Sequence, residues 1–599
     1  MKMKKITIKL SVVLALTALT SCQQMDLMPK DQMAQSEYFN NKTELELFSN
    51  PFYNDILDKT PFDEKSDILV TSILNEIMVG GNRRQVPASG GGWSWGPLRN
   101  INTLLENIER CTDANAVEHY TAVARFFRAY FYFDKVRRFG DVPWYDRQLS
   151  SEDEDLYKPR DSRELVMTKM IEDVDYAIAH LPAGRSAYRV NRWAAMALKA
   201  RFCLFEGTYR KYHNLSIPGH DARYYLEQSA QAASQLMHSG KYKLYTTGHP
   251  DQDYLMLFVQ HEANPDEYIF AVKYDYALGV RNNATGFTIL ASQGLPGLTR
   301  KFVNTYLMKD GSRFTDQPGW ETMMFKEEVK NRDPRLAQSM RTPGYTRLNQ
   351  TRVLPPDLKV AITGYQPIKF VQDPTDNSSN NDRTESSDVP MPVFRYAEVL
   401  LNYAEVKAEL ETLTQADLDA SVNLIRARVG MPKLLMTQAN ANPDPYLSSK
   451  EYGYPQVSGA NKGVILEIRR ERAIELLQEG LRMNDLYRWR AGQCINQPLT
   501  GMYFKGPGEY DLSGDDQPDV VLVPKGTKKP KEREGVVVFE LGKDLLLTNG
   551  DHGYLDYLQH AERNGFNEQR DYLYPIPIDE RTLNPALKQN PGWKDGLDF

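Results

Sequence analysis

At 599 residues, with 41% hydrophobic and 25% charged side chains, the chain is long enough to bury a large core and to build more than one lobe. A formal net charge of −6 and no long basic block argue against nucleic acid or an anionic membrane surface as partner. Four cysteines, far apart and without zinc spacing, argue against a disulfide framework or a zinc module, so the fold rests on its core.

The chain opens on Lys2, Lys4 and Lys5, followed by a mostly apolar run from Ile6 to Leu19. That run is too short to span a bilayer core of roughly 30 Å and is shaped like a secretory leader. It ends in Leu19-Thr20-Ser21-Cys22, the pattern of a lipoprotein signal peptidase site. Residues 1–21 are therefore expected to be removed and Cys22 to be acylated, tethering an exported bacterial chain to a membrane. The alternative is an ordinary cleaved leader with a coincidental cysteine. Each buried CH2 of the lipid contributes about 0.8 kcal/mol to such an anchor.

A polar tether leads to an amphipathic first helix, Glu44 to Tyr53. Residues 54–96 read as loop, with Gly80-Gly81-Asn82 and Gly90-Gly91-Gly92 as turns. From Leu98 a helical period begins, with Ile101, Leu104, Leu105 and Ile108 on one face. Helices are then predicted over Val117 to Phe139, Arg163 to Leu181, Arg192 to Arg210 and about Asp221 to Ser239. Such consecutive hairpins, with alanines where helices cross closely, predict tetratricopeptide-like pairs. From 240 to 390 Gly, Pro, Asn, Tyr and Thr rise, and runs such as Tyr268 to Tyr276 read as strands. Helical order is expected to return at Pro392, with the proline in the first turn, as the pairs 393–412 with 415–429 and 463–479 with Arg482 to Ala491. Residues 500–550 are again rich in Gly and Pro with short Val runs. The fold class is thus mainly α: a helical scaffold plus an irregular lobe with short strands.

Six segments, in order, resemble the SusD/RagB family of outer-membrane nutrient-uptake lipoproteins. They are Arg128-Ala129 leading to Phe139-Gly140-Asp141-Val142-Pro143, and Asp173 to Leu181-Pro182 with the alanine-rich 195–201. Pro392 to Glu405 and Asn423 to Arg428 follow. The last two are Arg470-Glu471-Arg472 through Arg488-Trp489, and Tyr574-Pro575-Ile576-Pro577 with Gln589-Asn590-Pro591-Gly592. The resemblance implies an N-terminal SusD-like region over 22–240 and a C-terminal RagB/SusD region over 241–599, packed as one globular unit. It also implies a surface-exposed lipoprotein on the outer membrane that captures oligosaccharides for a SusC-like TonB-dependent transporter.

No HExxH, P-loop or GxGxxG at a strand–helix junction is present, and the nine histidines are scattered. A glycoside hydrolase needs only two carboxylates, so a secreted hydrolase on a helical scaffold stays open as the second reading. Arg470, Arg472, Glu475, Glu479 and Arg482 fall at helical spacings, and ion pairs bracing helix packing account for them.

For binding, Trp93 and Trp95 at i and i+2 face one side if the segment is extended, and a flat indole suits the apolar face of a sugar ring. By resemblance the family's glycan binders draw such platforms partly from this loop; packing between lobes is the other reading. Trp320, the i, i+2 pair Tyr274 and Tyr276, and the hydroxyl partners Asn100 and Arg84 complete the expected glycan contacts. Trp144, Trp193, Trp489 and Trp593 are expected in the core. No cofactor is required by this reading. Asp511, Ser513, Asp515 and Asp519 offer oxygens at positions 1, 3, 5 and 9 of a structural Ca2+ loop, against a plain acidic turn.

Overall fold

The computed structural model describes residues 38–598 apart from 60–61, 65, 82–83, 376–381, 532 and 562. The leader, Cys22 and Asn82 lie outside the described residues. The first helix, α1 (Lys42–Ser49), starts where the Asn41 side chain accepts from the Glu44 amide. It stops before Pro51, and a separate turn, Phe52–Asp55, replaces the continuous helix expected to Tyr53.

The scaffold continues through α2 (Gly96–Asn107), α3 (Ala114–Phe139), α4 (Arg163–His180), α5 (Arg192–His213) and α6 (Ala222–His238). Side chains of Asp113, Ser162, Asn191 and Asp221 each accept from amides in the first turn of α3 to α6. Consecutive helices of this series pack on one another. The α5–α6 approach is close: a Cβ on Gly207 would lie 2.7 Å from Leu226 Cγ, so only glycine fits there. Helices from the second half of the chain complete the scaffold. α7 (Tyr396–Glu409) packs against α5, α6 and α9 (Lys462–Glu475), and α10 (Arg482–Arg488) against α5, with α8 (Val422–Arg428) beside α7.

One expectation is corrected at the return to helix. Met391–Arg395 is a strand, β4, paired antiparallel with β2 (Tyr268–Val272), and α7 begins only at Tyr396. All five residues of each strand are buried, so no periodicity separates this strand from a buried helix start. The steric demand of Pro392 on Met391 favours the extended form. The other strands are short: β1 (Leu69–Val70) with β3 (Gly297–Leu298), and β5 (Tyr503–Phe504) with β9 (Gly553–Tyr554). β6 (Gly508–Tyr510) pairs antiparallel with β7 (Val520–Val523), which runs parallel to β8 (Val537–Glu540). One apolar core runs from Phe39 to Leu587 and includes Trp144, Trp193 and Trp489. No helix among the described residues is long and apolar enough to cross a membrane.

The Arg/Glu pattern of 470–482 is buried and structural; Arg470 pairs with its helical neighbour Glu467 at 3.0 Å, but most other partners come from other elements. Arg395 of β4 reaches Glu267 (2.9 Å), Glu475 (2.8 Å) and Glu479 (2.7 Å). Glu475 also takes Arg428 (2.6 Å) and Arg335 (3.4 Å), and Arg335 takes Asp333 and Glu471. Arg472 pairs with Asp485, and Arg482 with Asp67, which also holds Lys301. Glu475 and Glu471 are 0% exposed, so no substrate reaches them.

Candidate ligand cavity and aromatic surface

A cavity of about 470 Å³ opens between the start of α2, the segment 143–157 after α3, and the short helix α11 (Ile578–Leu583). Trp93, Trp95, Leu98, Tyr145, Leu156 and Leu583 form most of its apolar wall. The second side chain of α2 to matter is Asn102. Its Nδ2 donates to the carbonyls of Tyr145 (3.0 Å) and Arg147 (3.1 Å), fastening the facing segment to the helix. Asn584 does the same from the other side, donating to the carbonyls of Leu156 and Lys158. The walls are therefore held by buried amides and backbone, a preformed site rather than a loop crevice.

Trp93 and Trp95 do not form the flat, same-side pair that an extended segment would give. Trp93 follows a turn closed by its amide on Gly90 O, and Trp95 sits at φ −118°, ψ 0° at the start of α2. Their rings stand edge to face, 5.3 Å apart at 83°. Trp95 meets Tyr145 the same way, at 5.5 Å and 81°. The result is a corner of rings. Trp93 is 5% exposed and leans on Phe139, so it is as much core as wall, whereas Trp95 is half-buried.

The cavity also carries polar groups. Arg99 and Glu580 line it without an ion-pair partner among the described residues. Arg147 lines it too, paired with Asp153 and Asp155. Burial and the carboxylates of Asp161, Asp155, Asp153 and Glu580 push the Tyr145 hydroxyl up to about 12, so it stays a neutral donor. Partial burial and then Asp579 push Glu580 upward as well. Rings for C–H faces with a guanidinium, a carboxyl and a phenol for hydroxyls suit a saccharide. Among the residues that line the cavity Glu580 is the single carboxylate, so the facing pair of a glycosidase is not assembled there.

Trp320 lies elsewhere, on a 3-10 turn of the irregular lobe, Trp320–Thr322. Arg300 donates to the carbonyls of Trp320 and Glu321, and the Tyr554 hydroxyl to that of Glu321. Trp320 stands edge-on to Tyr446 (5.8 Å, 89°), which stacks on Tyr452 at 4.6 Å and 8°. Tyr503 meets Tyr554 at 5.7 Å. Trp320, Tyr452, Tyr503 and Tyr554 are all half-buried, and no ring contact links this surface to the cavity among the described residues.

Four expected contacts are corrected. Arg84 is 2% exposed, paired with Asp571 at 3.1 Å and set against the rings of Tyr574 and Trp593, so it ties the N-terminal loop to the C-terminal segment instead of facing a hydroxyl. Asn100 is exposed on α2 and does not line the cavity; its neighbours Arg99 and Asn102 do. Tyr274 is 6% exposed with its hydroxyl on Lys59 O. The face of Tyr276 is covered by Arg281, whose guanidinium sits 3.7 Å from the ring centroid.

The residues of the acidic turn do not fit a calcium ion. Asp519 accepts from the amides of Leu512 and Ser513, Asp515 from that of Gln517, and Asp511 from those of Gly514 and Asp516. Lys326 places its ammonium 2.8 Å from Asp511 and 3.1 Å from Asp516, supplying the positive charge a cation would bring. No group of three acidic, His or Cys residues able to hold a metal occurs among the described residues. Calcium and a chelator are therefore expected to leave the melting temperature unchanged in calorimetry; a rise with calcium would restore the metal loop.

Comparison with known proteins agrees with this architecture. The model of the SusD family matches residues 266–593, and one described as starch-binding, associating with the outer membrane, matches 92–204. A SusD-like protein of Formosa agariphila is 25% identical, covering 64% of this chain and 69% of that one. Among solved structures, a SusD-like protein of Bacteroides fragilis superposes with a TM-score of 0.67 at 21% identity, covering 94% of this chain and 99% of its own. A SusD-like carbohydrate-binding protein of the same species gives 0.66 at 21%, covering 92% and 99%.

Proposed function

The chain belongs to the SusD family, and on that premise we propose that it is a surface-exposed, lipid-anchored glycan-binding protein of the outer membrane. It captures oligosaccharides without turning them over and passes them to a SusC-like TonB-dependent transporter. The observation that carries the binding half is the cavity cornered by Trp93, Trp95 and Tyr145, with Arg99 and Glu580 free to meet hydroxyls. The carbohydrate-binding relative and the starch-binding model that matches α2 to α5 support the ligand class. The half-buried rings around Trp320 offer a second, more open contact for a longer chain.

Anchoring and partnership rest on the Cys22 pattern and on family membership. Affinity purification from detergent-solubilised outer membranes is expected to recover a large β-barrel transporter with the wild-type protein. Cys22→Ala is expected to lose fatty-acid labelling. Recovery of the lipoprotein alone, or palmitate in the mutant, would contradict the respective half.

A further inference from the structure

Lys135 lies inside α3 at 4% exposure, and no carboxylate pairs with it among the described residues. Its ammonium donates instead to the carbonyl of Gly92, 2.5 Å away. It also sits over the rings of Phe131 (4.7 Å) and Trp95 (5.4 Å). One turn on, Arg138 donates to the carbonyl of Gly91 at 2.8 Å. Gly90, Gly91 and Gly92 have φ of +74°, +56° and +86°, so three consecutive residues hold a left-handed backbone that other residues rarely adopt. A Cβ on Gly92 would fall 2.5 Å from the Arg138 guanidinium. The two cations of α3 thus hold adjacent carbonyls of the loop that delivers Trp93 and Trp95 to the cavity.

We propose that Lys135, seconded by Arg138, is a positioning residue for the tryptophan wall, and that the charge on its ammonium sets how tightly the cavity holds a saccharide. The second half rests on the cavity being the saccharide site; the first does not. A buried cation whose direct contacts are a carbonyl and two rings, with no carboxylate bonded to it, is poorly compensated for lost hydration. Its retention there points to a task at the loop.

The charged groups that reach it lie on α3 itself, while the loop presents the Gly92 carbonyl and the Trp95 ring. Burial pushes the amine down from 10.5 to about 8; Asp134 resists the shift and Arg138 adds to it. Above about pH 8 the amine is neutral in the fold, so the charge-assisted bond to Gly92 and the attraction to Trp95 weaken. Between about 8 and 10.5 the unfolded chain binds more protons than the folded one, so this group makes stability rise with pH while ligand affinity falls. A merely structural lysine would not separate the two.

The test begins on ligand-free protein, by near-ultraviolet circular dichroism and tryptophan emission across pH 8. Wild type is expected to show a reversible step near pH 8 that is lost in Trp95→Phe and in Lys135→Arg, whose guanidinium stays charged. Lys135→Met should show the high-pH signal throughout. Lys369 is also pushed to about 8, but it lies against Tyr254, Phe258 and Phe370, and it is unchanged in the Lys135 variants. Titration with an oligosaccharide should then give a loss of about tenfold in affinity across the same step in wild type, the size of one bond to a charged group, and a flat profile in Lys135→Arg. Identical steps in wild type and Lys135→Arg, or none in wild type, would overturn the positioning role, and both can be read even if Lys135→Met does not fold. A spectroscopic step with affinity indifferent to Trp95→Ala would instead sink the saccharide reading of the cavity and leave the loop clasp standing.

Discussion

Glu475→Ala is expected to cost about 3–5 kcal/mol of stability, the range found when one member of a buried ionic group is removed. Its carboxylate, 0% exposed, is shared by Arg428, Arg395 and Arg335 from three separate elements. Alanine leaves those guanidiniums facing one another with less countercharge in a medium that screens poorly. Burial alone would raise the Glu475 carboxyl; the three arginines outweigh it and hold it at about 2, below the 4.5 of a free glutamate. A depressed folded pKa means that its contribution is complete above about pH 4.5 and is lost as pH falls through about 2. Urea titration of wild type and Glu475→Ala at neutral pH, repeated at acid pH, reads both effects. A difference that stays small at neutral pH would show the network to be ornamental; one that fails to shrink on acidification would contradict the assigned shift.

Trp95→Ala is expected to lower glycan affinity without unfolding the protein. The half-buried indole supplies a cavity wall and packs on the margin of the core, edge-on to Trp93 and Tyr145 and tilted against Phe131 and Tyr132, so its removal takes away ligand contact more than core. Losing one aromatic face costs about 1–3 kcal/mol, and about 1.4 kcal/mol is already tenfold in Kd. Trp93→Ala should behave differently: at 5% exposure against Phe139 it should lower the melting temperature as well as affinity. The contrast between two tryptophans two residues apart separates a ligand wall from its support. Equal melting temperatures for the two variants would mean that the division between them is wrong.

Much of the scaffold was legible because its signals are local. Ser162, Asn191 and Asp221 each stand one residue before a helix and cap it, and Leu98, Ile101 and Leu104 fall on the buried face of α2, whereas α3 begins behind Asp113, three residues before the expected Val117. The segment 391–395 was not, since a strand buried on both faces carries no alternation. The ionic residues of 470–482 were legible in type but not in partner. Arg395, Arg428 and Arg335 come to Glu475 through tertiary contacts that no spacing encodes. The same limit hid the ligand cavity. Trp95 could be picked out beside its glycines, but Tyr145 and Glu580 reach it from the segment that follows α3 and from the C-terminal helix α11. No local pattern marks either.

The Trp95 corner is proposed to hold a saccharide that the protein does not cleave. Isothermal titration of one oligosaccharide into wild type and Trp95→Ala, with chromatography of the sugar after prolonged incubation, tests it most directly. Saturable binding to wild type, at least tenfold weaker binding to a cooperatively melting Trp95→Ala, and intact sugar from both are expected. Unchanged affinity in the folded variant, or shorter sugars released by pure protein, would contradict it.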